Sequence, residues 1–482
     1  MRIRRFAAAL LGLAMLWAVF SVPVEAASKC GCGEVVQVWV DGFGQALYYD
    51  EGTPEEREAG TIHTDGILPS LKWVGIGAAL GLRYRSWLPV AGGIGQILYG
   101  MMGHLRIDEN GNSVEPLTST WIIDEDQVKD HKNKPEFWFR YDYRLDPFKI
   151  AAQLNDFIEA LCKKTGHSKV AITGHSEGTN IVMTYVSVYG TKRLETIILA
   201  NGGWNGLKIA ADLFRGQFAI DPRALANMLG DLDDGSGTVR ALMELLYAMH
   251  LLDFTPALGK FIADNLMDPL FQTTLVPMLM TMPAIWAFVP PEAFDEAIKL
   301  LGDDPKYAAV RARAQRYQRE VMTQGPALLK KAKGNGVKVA VIASYQFAPV
   351  PVTADAFYHS DRFIDTASAS GGATVAPFGQ VLPPNDSKYR SSDGIIDAAT
   401  CVLPDQTWFV KYNWHNPDCL EELRQWIIHS RKYPTVFANP EFPQFLMRTE
   451  DARAVPLTEG EKVQEEIGFA KAAWELGKAI VN

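Results

Sequence analysis

The chain has 482 residues, of which 48% are hydrophobic and 21% charged, the balance of a globular protein with a sizeable core rather than a disordered or fibrous one. Its formal net charge of -9 supplies no basic field, so nucleic acid is not an expected partner.

At the N-terminus, Arg2, Arg4 and Arg5 precede an apolar run over 6–22 and then Pro23-Val24-Glu25-Ala26. A basic start, an apolar stretch and a small-residue junction predict a signal peptide over 1–26, and hence a protein that is secreted, periplasmic or held at the cell surface. An uncleaved anchor is the alternative, because the run approaches the length of a membrane span. Five cysteines follow, Cys30, Cys32, Cys162, Cys401 and Cys419, and in an exported protein an odd number leaves one unpaired. Cys401 and Cys419 flank a predicted strand and are the candidates to join, whereas Cys162 reads as a buried helical thiol. None has zinc-site spacing with histidines, so neither a metal nor another cofactor is expected.

Residues 35–40 form a short apolar strand ending in Asp41-Gly42-Phe43-Gly44. The stretch 67–107 is apolar and glycine-rich, with Trp73, Trp87, Met101 and Met102, four basic side chains and no acidic one. It suits core packing or a surface that docks on lipid. An aromatic strand is predicted over 137–143. Asp146 and Pro147 then open a helix as N-cap and first residue, and Phe148, Ala151, Leu154, Phe157, Ile158 and Leu161 give it one apolar face before Gly166 stops it.

The most informative stretch follows. An apolar strand over 169–173 runs into Gly174-His175-Ser176-Glu177-Gly178, and a helical pattern over 180–188 comes after. A tight strand-to-helix turn exposes a serine hydroxyl to a base, and small residues either side let the backbone turn. Ser176 is the expected nucleophile, with an ordinary turn as the alternative. The amide of Glu177 is expected to donate to an oxyanion. The second donor should come from the loop after the first strand, where the amide of Phe43 is preferred and that of Gly44 is next.

A strand over 195–199 completes an alternation of strands and helices that predicts a parallel sheet covered on both faces. Residues 207–333 carry helical periodicities, the position of a cap, and within them 275–289 bears Met278, Met280, Met282, Trp286 and Phe288. Strand character returns over 337–342 and 407–412. The histidines beyond Ser176 are His250, His359, His415 and His429. His415 stands just after the last predicted strand, where a catalytic base belongs. The acid should lie between 337 and 415, among Asp355, Asp361, Asp365, Asp386, Asp393, Asp397 and Asp405. Asp393 is preferred, at an Asp-Gly turn before the histidine, with Asp397 next.

These residues resemble the lecithin:cholesterol acyltransferase and lysosomal phospholipase family of α/β-hydrolases. The resemblance rests on Val40-Asp41-Gly42-Phe43-Gly44, on Tyr141-Asp142-Tyr143-Arg144, on the turn at Ser176, and on Gly203-Trp204-Asn205-Gly206. Ser392-Asp393-Gly394-Ile395 and the His415 loop complete it. It implies an α/β-hydrolase core over 33–206 and 334–432, with the helical segment over 207–333 as its cap; the apolar insertion at 66–107 and the extension over 433–482 match nothing in the family. It also implies acyl transfer from a lipid ester, with lipid or a lipid interface as the partner. Two departures stand out: Asp41 where the family has proline, and Glu177 where it has an apolar residue, whose charge would repel an anionic substrate. The expected activity is ester hydrolysis through acyl-Ser176. The alternatives are transfer of the acyl group to an alcohol and a non-catalytic lipid-binding protein on the same fold.

Overall fold

The computed structural model describes residues 30–457 except 61–66, 232–236, 354 and 450. The expected signal peptide and the last part of the expected 433–482 extension lie outside the described residues. At the centre is an eight-stranded sheet. Its strands are β1 (Gln37–Val40), β2 (Glu136–Trp138), β3 (Val170–His175), β4 (Leu194–Ala200), β5 (Lys338–Tyr345), β6 (Thr407–Lys411), β7 (Phe445–Arg448) and β8 (Ala454–Pro456). They lie in the order β8-β7-β6-β5-β4-β3-β1-β2, and every neighbouring pair is parallel except β7 with β8. This is an α/β fold with a mostly parallel sheet.

Parallel neighbours need long crossovers, and helices supply them. Among them are α1 (Ile67–Tyr84), α2 (Leu88–Met102), α3 (Pro147–Thr165), α4 (Gly178–Tyr189) and α5 (Glu421–His429). Alternate strand residues serve the two faces. Val38, Ile172 and Ile197 pack with Leu154 and Phe157 of α3 and Ile181 and Tyr185 of α4, while Ala171, Ile198 and Ile342 pack with Leu423 and Ile427 of α5. Burial on both faces explains why β3 shows no alternation of polar and apolar residues. Helix α3 starts and stops as its sequence signals: Phe148 N–H donates to the Asp146 carboxylate, and Gly166 ends it in the left-handed region at φ 72°.

Three expectations are corrected. The aromatic strand is shorter than 137–143, because the backbone N–H and guanidinium of Arg144 both donate to the Asp142 carboxylate and close a turn. The region after 433 is no mere extension, since β7 and β8 widen the sheet. Cys401 and Cys419 are free thiols packed on opposite faces of the sheet, so their pairing does not form. Within 275–289, by contrast, the core-packing reading agrees with the structure: Val276, Met278, Met280, Met282 and Trp286 are buried, and Trp286 Nε1 donates to the Met280 carbonyl at 2.8 Å.

The 207–333 segment is a helical layer between β4 and β5. Its Ala287 carbonyl accepts from Asn180 Nδ2 on α4, and Phe288 lies close against Gly203. The hairpin of α1 and α2 packs its inner side, Val90 and Ala91, on Leu266 and Leu270 of that layer. Its outer side leaves Ile76, Leu80, Tyr84 and Leu88 exposed. Among the described residues no helix is long and apolar enough to cross a membrane.

Candidate active site

Strand β1 lies between β2 and β3, so the chain leaves it in one direction and returns on the other side. Such a reversal opens a crevice at the carboxyl ends of the strands. The loops following β1 and β3 meet there. Ser176, between β3 and α4, holds φ at 54°, a conformation rare for a residue with a side chain. The turn is locked by close packing. A Cβ on Gly178 would lie 2.0 Å from the Val40 carbonyl oxygen, and one on Gly174 would lie 2.8 Å from the Gly178 carbonyl oxygen. The backbone of Gly42 presses on the serine itself, since a Cβ there would stand 2.4 Å from Ser176 Cβ, 2.7 Å from its Oγ and 3.3 Å from the Glu177 nitrogen.

The loop after β1 is tied down from several sides. Tyr141 donates its hydroxyl to the Asp41 carbonyl at 2.6 Å, and Gly42 N–H donates to Asp41 Oδ1 at 2.8 Å. That same oxygen lies 3.1 Å from His175 Nδ1. The Tyr-Asp-Tyr-Arg segment therefore serves as a brace, with Tyr141 holding the loop and the buried Asp142–Arg144 ion pair anchoring the segment. Phe43 is half-exposed and its ring centroid lies 4.4 Å from that of Tyr143.

His415 stands on the loop after β6 with φ 41°. Its Nδ1 is 2.7 Å from Asp361 Oδ2, and Asp361 is buried, its other oxygen accepting from the amides of Phe363 and Ile364 at 3.0 and 2.8 Å. The acid expected at Asp393 is elsewhere. Asp393 Oδ2 accepts from the Tyr345 hydroxyl at 2.9 Å and lies 3.3 Å from Lys411 Nζ, while Oδ1 accepts from Ser391 and the Ile395 amide. Asp397, the other choice, bonds to Ser387 and Asn385. Both are structural carboxylates, and Asp361 is the one that faces the imidazole.

The remaining histidines are accounted for. His250 is exposed beside Asp253, and His429 faces Gln425. His359 is buried with neither ring nitrogen partnered, and burial pushes it down to about 4, so it stays neutral. His175 and His415 are in ring contact, their centroids 4.8 Å apart. Burial disfavours the charged form of both. At His415 the Asp361 carboxylate outweighs it and raises the pKa above the usual imidazole value, whereas at His175 burial prevails over Asp41 and the pKa falls. Among the described residues no hydrogen bond joins Ser176 Oγ to His415 in this resting arrangement. Such contacts commonly tighten only with substrate in place.

Glu177 is the least expected feature. Its side chain is fully buried, both carboxyl oxygens lack a partner, and burial followed by the nearby Asp142 charge raises its pKa well above the ordinary value. That shift favours the uncharged carboxyl, which weakens the repulsion expected from it. The carboxylate near the serine is Asp41, partly exposed and held below its usual range although burial opposes this, because His175 and the Gly42 amide stabilise it.

Beneath the His415 loop, Asn413 Nδ2 donates to Ser344 Oγ at 3.0 Å, and Ser344 donates to Asn201 Oδ1 at 2.8 Å. This buried chain links the ends of β4, β5 and β6, and no sequence motif points to it. At the other end of the sheet the structure gathers Cys30, Cys32, His131 and His167, which sequence spacing had kept apart. No protein-family model matches the chain, and no curated protein matches it.

Proposed function

We propose that this chain is an α/β-hydrolase acting on carboxylic esters through an acyl-Ser176 intermediate. The observation that carries the reading is one crevice edge where three things converge: Ser176 in a strained turn, the Gly42 backbone against its Oγ, and a His415–Asp361 pair on the neighbouring loops. In the proposed reaction His415 Nε2 takes the Ser176 proton as Oγ attacks the ester carbonyl. The amides of Phe43 and Glu177 hold the oxyanion, and His415 returns the proton to the departing alcohol. Water then enters by the same route and releases the acid. Asp361 fixes the imidazole tautomer and stabilises the imidazolium.

The surroundings support an apolar acyl group. Phe43, Phe363 and Trp414 are 38%, 50% and 53% exposed and flank the reacting residues, with Phe363 in ring contact with His415. The Asp41 carboxylate disfavours an anionic group near the serine, so neutral lipid esters come ahead of phospholipids. The N-terminal pattern over 1–26 supports action outside the cytoplasm.

A fluorophosphonate probe tests the reading directly. It should label the wild-type chain at Ser176, and Ser176→Ala should lose both labelling and p-nitrophenyl ester turnover while keeping its melting profile. Full turnover in that variant would sink the assignment. A folded wild-type chain that takes no label would leave the non-catalytic lipid-binding reading in its place.

A further inference from the structure

The chain ends that lead into β1, β2 and β3 lie side by side at the edge of the sheet opposite Ser176, because those strands are parallel neighbours. Each brings metal-type donors. Cys30 and Cys32 precede β1, His131 precedes β2, and His167 follows the Gly166 stop of α3 just before β3. Cys30 Sγ is 3.3 Å from His131 Nε2, and Cys32 Sγ is 3.5 Å from His167 Nε2. One donor atom from each of the four residues lies within 4.8 Å of all the others, and the two imidazoles meet edge to face at 5.3 Å. We propose that these four side chains form a structural zinc site.

The geometry suits that ion. Zinc bonds of roughly 2.3 Å to sulfur and 2.0–2.1 Å to nitrogen give a tetrahedron with edges of about 3.3–3.8 Å. The two sulfur–nitrogen separations already fall within that range; His167 Nε2 also lies 3.2 Å from the Glu34 carbonyl, a contact it would give up on binding the ion. The tautomer of His131 is set for it: Nδ1 lies 2.7 Å from the Val128 carbonyl and donates there, which leaves the Nε2 lone pair facing Cys30. The Cys30 amide is itself pinned, donating to the Gly166 carbonyl at 3.0 Å. Two thiolates with two imidazoles favour zinc over hard cations, and four protein donors leave no open position, so the site holds structure rather than performing chemistry. As the ion binds, the thiol protons leave to solvent. The bound ion would tie the segment entering β1 to the lead-ins of its two neighbours. The donors are legible only in space, since His131 and His167 lie about a hundred or more residues from the cysteines.

Elemental analysis of the full chain, purified with zinc present and dialysed against metal-free buffer, should find about one zinc per molecule. Cys30→Ser and His131→Gln should each weaken zinc binding by about 100-fold or more. Cobalt substituted into the wild-type chain should show a thiolate-to-cobalt charge-transfer band that disappears in Cys30→Ser. Reactivity of Cys30 and Cys32 toward a thiol reagent should be suppressed by zinc and restored by a chelator, with the melting temperature falling alongside. These last readings use the wild-type chain, so they hold even if a variant fails to fold. The proposal is overturned if reduced wild-type chain takes up no zinc. It is equally overturned if the metal stays at full occupancy in a Cys30→Ser/Cys32→Ser variant, or if a Cys30–Cys32 disulfide forms and the reduced chain then ignores the metal.

Discussion

Glu177 places a buried acid where no protein group bonds to its carboxyl oxygens. Its pKa is raised in the folded chain and ordinary in the unfolded one, so between those two values the folded state binds more protons. Stability from this group is therefore full below the ordinary glutamate value and is lost as pH rises through the folded one. Glu177→Gln keeps the shape and removes the titration: its melting temperature should exceed that of the wild type by a margin that widens from pH 5 to pH 9, with ester turnover retained. A margin independent of pH would refute the buried neutral acid. Asp361 and Asp393 separate in the same way. Asp361→Asn should lower kcat by about 10³–10⁴-fold with little change in KM, as loss of the orienting carboxylate does in such triads. Asp393→Asn should lower the melting temperature while leaving kcat within a few-fold. The rising limb of kcat/KM with pH should lie above the usual imidazole value in the wild type and move down in Asp361→Asn, since burial is then opposed only by the smaller pull of the Asp41 charge. The turn at Ser176 and the His415 loop, which carry the proposed nucleophile and base, are legible in the sequence because their backbones must turn in particular ways. The carboxylate that faces His415 is not legible, because any aspartate on a long loop can swing in, and what holds Asp393 away is a lysine that the fold delivers from β6.

The turn between β3 and α4 depends on absent atoms. Gly178→Ala would drive a methyl into the Val40 carbonyl, backbone against backbone, and should cost at least about 2 kcal/mol in denaturant unfolding together with nearly all activity. Gly100→Ala, inside α2 with nothing within 4 Å of its new methyl, should instead stabilise by about 0.5–1 kcal/mol, and this contrast separates crowding from helix propensity. Elements with strong local signals were readable, α3 above all, with its cap, its apolar face and its stop. β7 and β8 were not, because four and three residues carry too little pattern to rise above a Pro-rich surrounding. Their contribution to the core is nonetheless testable: Leu446 is fully buried, and Leu446→Ala should cost about 2–5 kcal/mol.

Across the whole molecule, apolar surface is unevenly spread. The outer face of the α1–α2 hairpin shows Ile76, Leu80, Tyr84 and Leu88, in addition to the aromatic rim around His415. If that face meets lipid, Ile76→Ser/Leu80→Ser should reduce turnover of micellar esters several-fold and leave monomeric esters unaffected; equal loss on both would count against an interfacial role. The parallel sheet was legible from the alternation of strands and helices, but its extent was not, and neither was the meeting of four donors at its far edge, which depends on strand order. That order also bears on how the chain comes into being. Ser176 and its turn belong to strands completed within the first 200 residues, while the strand carrying the His415 loop remains a bare edge until β7 pairs with it at residues 445–448. On the proposed reading, a chain cut before residue 445 would keep the Ser176 turn while the strand behind the His415 loop lacks its outer neighbour, and it should take up a fluorophosphonate far more slowly than the full chain.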